Sequence, residues 1–170
     1  MAKGIEGTGA ELVARSLKQL GVDRVFALCG DHINTLFRAL YLHDIEIVGV
    51  RHENAAVQMA DGWARATGNP GVVVLTGGPG HTSGGTGLAI ANGVGSPVIV
   101  ISGQSPLDKR DRGGHQILYQ AEIARPVTKM SREIEKPDHI PEFIYRAFLV
   151  ATEGTPGPVS LSIPLDVLNS

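Results

Sequence analysis

A single cysteine, Cys29, leaves the chain without a partner for an internal disulfide, which suits a reducing, cytoplasmic setting. It ends an apolar run and reads as a small buried hydrophobe, not a nucleophile. Aromatic residues are only 5% of the 170 positions, so the core has to be built from aliphatic side chains. The net charge of −2 lacks the basic excess of a nucleic-acid surface. No apolar run is long enough to span a bilayer, and the N-terminus lacks the signal-peptide pattern. The six histidines are scattered, with no HExxH and no second cysteine, so no metal site is expected. What remains is 42% hydrophobic, enough for one globular domain with a real core.

Strand-like and helix-like segments alternate along most of the chain. Thr8 and Glu11 have capping-box spacing and open a helix that Gly21 stops. The pattern then predicts strand 24–29, helix 33–42, strand 45–50, helix 54–67, strand 71–76, helix 81–92 and strand 97–102. The strands are apolar throughout instead of alternating, as in a parallel sheet covered on both faces. From Gln104 to Gly114 the chain is polar, and Asp108, Lys109, Arg110, Asp111 and Arg112 read as a solvated loop. A short helix over 117–124, a short edge strand over 127–130, a helix over 141–152 and a strand over 157–164 complete the expectation. The fold class is α/β: three layers, α/β/α, around a six-stranded parallel sheet. A single domain over 1–165 is expected, with the start of a linker at 166–170, and no internal repeat.

Two strand-end loops carry the chemistry. Glu53, in Arg51-His52-Glu53-Asn54, follows a strand and opens a helix. One strand later comes Thr76-Gly77-Gly78-Pro79-Gly80-His81-Thr82, nearly bare backbone. Both lie at the carboxyl edge, where open α/β sheets bind ligands. The glycines do not make a dinucleotide fingerprint: the third glycine is missing, and so is the acid about twenty residues on. Nor do they make a Walker A loop, because Thr86 stands where its lysine belongs. A nucleotide-binding oxidoreductase is therefore disfavoured. A tight corner without a ligand and a backbone cradle for a flat polar ligand both fit the turn taken alone.

Several motifs together resemble the N-terminal pyrimidine-binding domain of thiamine-diphosphate-dependent enzymes, the acetolactate synthase and pyruvate decarboxylase superfamily. Val25 to Asp31 is similar to the family's first strand and turn, and Arg51-His52-Glu53 with Ala60 to Arg65 to its glutamate helix. Thr76 to Thr82 is similar to its glycine turn, Pro97 to Gln104 to the strand ending in Ser/Thr-Gly-Gln, and Gly157 to Val167 to its closing strand.

The resemblance implies thiamine diphosphate as cofactor, a small 2-oxo acid as substrate, and lyase or transferase (decarboxylase or carboligase) chemistry. In the family the glutamate carboxyl hydrogen-bonds N1′ of the aminopyrimidine, favouring the imino form whose N4′ takes the thiazolium C2 proton; here that is Glu53. Gly30, Thr76, Gly78, Pro79 and Gly80 are the other implied cofactor-binding positions. Asp31 resembles the aspartate with which pyruvate decarboxylases protonate their intermediate, but it equally fits a cap for the helix near Ile33. His115-Gln116 takes one residue from the decarboxylase His-His pair and one from the synthase Phe-Gln pair. His115 is thus either a proton donor near substrate or a solvent-facing loop histidine.

No Gly-Asp-Gly magnesium motif occurs. Mg2+ and the diphosphate are expected to be held by a diphosphate-binding domain of a second subunit, in a homodimer or dimer of dimers. The chain is expected to be an excised N-terminal domain, inactive alone. The small subunit of a split decarboxylase, or a non-catalytic pairing domain of the same fold, are the alternatives. Ala55, Ala56, Met59, Ala60, Trp63 and Ala64, at helical spacing, fit either a pairing face or a core face.

Overall fold

The computed structural model describes residues 7–170, so the first positions of the expected domain lie outside the described residues. Six parallel strands form one sheet in the order β2-β1-β3-β4-β6-β5: β1 (Arg24–Ala27), β2 (Glu46–Gly49), β3 (Gly71–Leu75), β4 (Val98–Gln104), β5 (Met130–Glu133) and β6 (Val159–Pro164). The helices are α1 (Gly9–Gln19), α2 (Asn34–Leu42), α3 (Glu53–Thr67), α4 (Pro79–Ser83), α5 (Gly85–Val94), α6 (Gln120–Ala124), α7 (Ile140–Thr152) and α8 (Leu165–Asn169).

Every side chain of β3 and β4 is buried, which explains why those stretches are apolar without alternation. One core cluster joins α1, α2, α7 and α8 to one face of the sheet, through Leu17, Leu36, Leu40, Ile99, Ile101, Ile144 and Leu161. The other joins α3 and α5 to the opposite face, through Ala56, Val57, Ala60, Val73, Leu75, Leu88 and Val100. The three-layer α/β/α architecture is thus present. Burying a side chain such as Val57 or Leu88 is worth about 1.5–3 kcal/mol.

The Thr8 capping box is complete: Glu11 N–H donates to Thr8 Oγ1, and Thr8 N–H donates to the Glu11 carboxylate. Four expectations need correction. Cys29 is exposed, because β1 has already ended at Ala27 and the chain there is leaving the sheet. The single helix expected over 81–92 is two, α4 and α5, meeting at Gly84, where a side chain would strike Leu75 and Val57. The edge strand lies at 130–133 instead of 127–130, because Pro126 belongs to a 3-10 turn over Arg125–Val127. The stretch 166–170, expected to start a linker, lies largely within α8, with Val167 and Leu168 buried and the Ser170 carbonyl accepting from Gly9 N–H.

The charge run is not wholly solvated either. Arg110 is paired with Glu133 at the end of β5 and, at 3.3 Å, with Glu135. On α3, Ala56, Ala60 and Ala64 face the sheet, Ala55 and Met59 face solvent, and Trp63 is half-buried against Phe26. The Arg24 guanidinium lies 4.6 Å from the Trp63 ring centroid.

Candidate functional site

From β1 the chain passes to β2 on one side, and from β2 it crosses back to β3 on the other. The carboxyl ends of β1 and β3 therefore flank a topological switch point, the crevice where open α/β sheets take ligands. Gly30 follows β1 and Thr76 follows β3. A Cβ on Gly30 would lie 2.5 Å from Thr76 Cβ, so only glycine allows the two loops to close together.

Glu53 reaches this crevice from β2. Val50 N–H still donates to the Ala27 carbonyl, 3.0 Å, after which His52 turns the chain into α3. His52 is the N-cap, in extended conformation, and its Nδ1 accepts from Asn54 N–H at 3.1 Å. Glu53 is thus the first residue of α3, half-buried, and its carboxyl group faces the glycine turn. A Cβ on Gly80 would sit 3.3 Å from Glu53 Oε1 and 2.5 Å from Thr76 Cγ2. The absent methyl lets Thr76 and the Glu53 carboxylate pack directly against the Gly80 main chain.

The turn is rigidly held. Gly78 has φ 62° and ψ −120°, a conformation open to glycine alone, and a side chain there would strike the Gln116 carbonyl at 2.6 Å. Pro79 opens α4, exposed, at the position where its missing N–H costs nothing. Gly78 N–H donates to Gln120 Oε1 at 2.9 Å; Gln120 Nε2 in turn donates to the Gly103 carbonyl, 2.8 Å, and to Ser162 Oγ, 3.1 Å. Gln120 is fully buried, so these bonds satisfy groups that have no access to water.

Behind the turn, His81 is 2% exposed, with its Nδ1 2.8 Å from Ser102 Oγ. Burial pushes its pKa down to about 4, against a weaker upward pull from a hydrogen bond to the Gln120 main chain. His32, also buried, places Nδ1 3.2 Å from Thr76 Oγ1 and Nε2 3.4 Å from Ser105 Oγ. Desolvation lowers its pKa as well; Asp31 opposes that shift and His115 adds to it.

The other two candidates flank His32. Asp31 is exposed at the start of a 3-10 turn over Asp31–Ile33. The N-cap of α2 is Ile33, with no side-chain cap bond, so Asp31 does not cap that helix. His115 is exposed, and its main-chain carbonyl accepts from Ser105 Oγ. Contacts through Thr76 and Gly80 bring Gly30 and Glu53 together, with Gly78 and Pro79 in the same turn, whereas Asp31 and His115 connect to that group only by way of His32. Sequence reasoning missed His32, His81, Ser105 and Gln120. A polar residue just past a strand in an otherwise apolar layer was the available signal for His32.

Glu53, half-buried at the switch point, presents a carboxyl group that can bond a ring nitrogen, giving or accepting a proton. Among the described residues, no helix is long and apolar enough to cross a membrane.

A family model described as thiamine pyrophosphate enzyme, N-terminal TPP binding domain, matches residues 7–123. The chain is 43% identical over 163 residues to the acetolactate synthase isozyme 3 large subunit of Escherichia coli K12, covering 95% of this chain and 28% of that protein. It is 40% identical over 165 residues to the acetolactate synthase of Bacillus subtilis 168, covering 97% and 29%. It is 38% identical over 160 residues to 2-hydroxyacyl-CoA lyase 2 of Xenopus laevis, covering 94% and 25%. The chain therefore spans between a quarter and three-tenths of the length of these relatives.

Proposed function

The chain belongs to the thiamine pyrophosphate enzyme N-terminal TPP binding domain family, and from that premise we propose that it is the aminopyrimidine-binding half of an acetolactate-synthase-like decarboxylase or carboligase. The half-buried Glu53 carboxyl, at the switch point and facing the bare main chain of Gly80, is the observation that carries this reading. Gly30, Thr76, Gly78, Pro79 and Gly80 would form the rest of the cradle. When bound, thiamine diphosphate supplies the electron sink that lets a 2-oxo acid lose carbon dioxide.

The protein's part is to bind, orient and move protons. Glu53 would hold a proton at a ring nitrogen of the bound group, a task suited to a carboxyl group, which both gives and accepts one. The glycine turn keeps a fixed place opposite Glu53, because its main chain is locked by Gln120. Asp31 and His115, on the exposed side of the crevice, are assigned to proton exchange with the substrate. The frog relative is named as a lyase of 2-hydroxyacyl-CoA, the reverse sense of carbon–carbon bond formation, so both directions fall within the proposed class.

Mg2+ and the diphosphate fall to a diphosphate-binding domain of a second subunit. Pairing through the outer faces of α3 and α5 is supported by the exposed apolar side chains of Met59, Ile90 and Val94. The test is titration of the full-length protein with thiamine diphosphate and Mg2+, comparing wild type with Glu53→Gln. Saturable binding by the wild type is expected. No binding would favour a non-catalytic pairing domain.

A further inference from the structure

His32 occupies a slot made for it across the ends of β3 and β4. A Cβ on Gly103 would lie 2.6 Å from His32 Cβ, and one on Gly77 would lie 3.1 Å from its Nδ1. The imidazole is 4% exposed, and both ring nitrogens have hydroxyl partners, Thr76 Oγ1 at 3.2 Å and Ser105 Oγ at 3.4 Å.

The direction of these bonds follows by elimination. The His115 carbonyl can only accept, so the single Ser105 hydroxyl hydrogen is committed to it. Ser105 Oγ must then accept from His32, which puts the ring hydrogen on Nε2. In the neutral ring Nδ1 is left as an acceptor, and Thr76 Oγ1–H donates to it. The resulting chain runs Thr76 O–H to Nδ1, Nε2–H to Ser105 Oγ, and Ser105 O–H to the His115 carbonyl. Asp31 and His115 are the titratable groups that face His32.

We propose that His32 is a positioning residue: as the Nε2–H tautomer, it ties Thr76 of the glycine turn to the main chain at His115 through Ser105. Thr76 sits between Gly30 and Gly80, so fixing its hydroxyl fixes the floor of the crevice and leaves only lone pairs free to face a ligand. The Ser105 end holds the loop at His115, from which Gln116 covers Gly78. One buried ring thereby sets the spacing between the cofactor cradle and the substrate side. The functional consequence rests on the proposed pyrimidine site; the hydrogen-bond chain itself does not.

The test has two arms. In protein labelled with 15N-histidine, with the His32 signals assigned by their loss in His32→Gln, the ring nitrogen shifts at neutral pH should show hydrogen on Nε2. Hydrogen on Nδ1 would overturn the proposal whether or not any ligand binds. In the second arm, the full-length protein is titrated with thiamine diphosphate and Mg2+ and assayed with pyruvate. His32→Asn keeps an acceptor toward Thr76 but falls short of Ser105. It should leave cofactor affinity near wild type and lower turnover about fivefold, the worth of one ordinary hydrogen bond. Ser105→Ala should match it, and the double variant should be no worse than either single one. Losses that multiply in the double variant would overturn the coupling. A wild type that binds no thiamine diphosphate would remove the pyrimidine-site reading and leave the tautomer result to decide the strut.

Discussion

Replacing His81 with glutamine removes a buried ionisable group while keeping a polar side chain opposite Ser102. The native pKa is about 4 against an ordinary 6.5, and burial is the main cause. A histidine with a depressed native pKa binds its proton more readily in the unfolded chain. The native state therefore carries no penalty above about pH 6.5 and loses stability as pH falls from there toward 4. The gap of about 2.5 pK units is worth about 3 kcal/mol in total, of which about 2 kcal/mol appears above pH 5. The nearest partners, Ser102 Oγ and the Gln120 main chain, are uncharged, so no ion pair masks the effect. Urea unfolding of wild type and His81→Gln between pH 7.5 and 5 isolates it, because carboxylates shared by both proteins cancel in the difference. The variant's stability advantage should grow by about 2 kcal/mol across that range. Parallel profiles would show that His81 takes up its proton without unfolding, refuting the burial argument.

Three further outcomes follow from the geometry. Gly78→Ala forces a side chain into a glycine-only conformation and onto the Gln116 carbonyl, so it should cost about 1–3 kcal/mol in chemical unfolding and weaken thiamine diphosphate binding. Gln120→Met keeps the volume but leaves Gly78 N–H and the Gly103 carbonyl without their partner; a loss of about 2 kcal/mol or more is expected by the same assay, and a neutral result would mean water replaces the amide. Arg24→Ala removes the cation over Trp63, which should alter the fluorescence of the single tryptophan; an unchanged emission spectrum would show that the guanidinium does not rest on the ring.

Most of the sheet was legible because buried parallel strands must be apolar, and β1, β2, β3, β4 and β6 each fall within about two residues of an apolar run. The edge strand β5 was misplaced because Met130-Ser131-Arg132-Glu133 is polar: an edge needs few apolar side chains, and charges protect it. Glu53 and the glycine turn were visible as a pair because each directly ends a strand. Their distance was not, since it depends on β2 and β3 lying on either side of β1. The network of His32, Ser105, His81 and Gln120 was hidden for a related reason. Each partner bond links residues far apart in the chain, and no local period marks a buried polar side chain. The apolar run through Cys29 outlasts its strand, which ends at Ala27, so hydrophobicity alone does not mark the residue as exposed.

Handling of a bound aminopyrimidine's proton by the Glu53 carboxyl is open to direct measurement. Its most direct test is the rate at which the C2 proton of bound thiamine diphosphate exchanges with deuterium in the full-length protein, wild type against Glu53→Gln. The exchange should slow about a hundredfold or more with the cofactor still bound; an unchanged rate would mean that the carboxyl takes no part in the proton transfer.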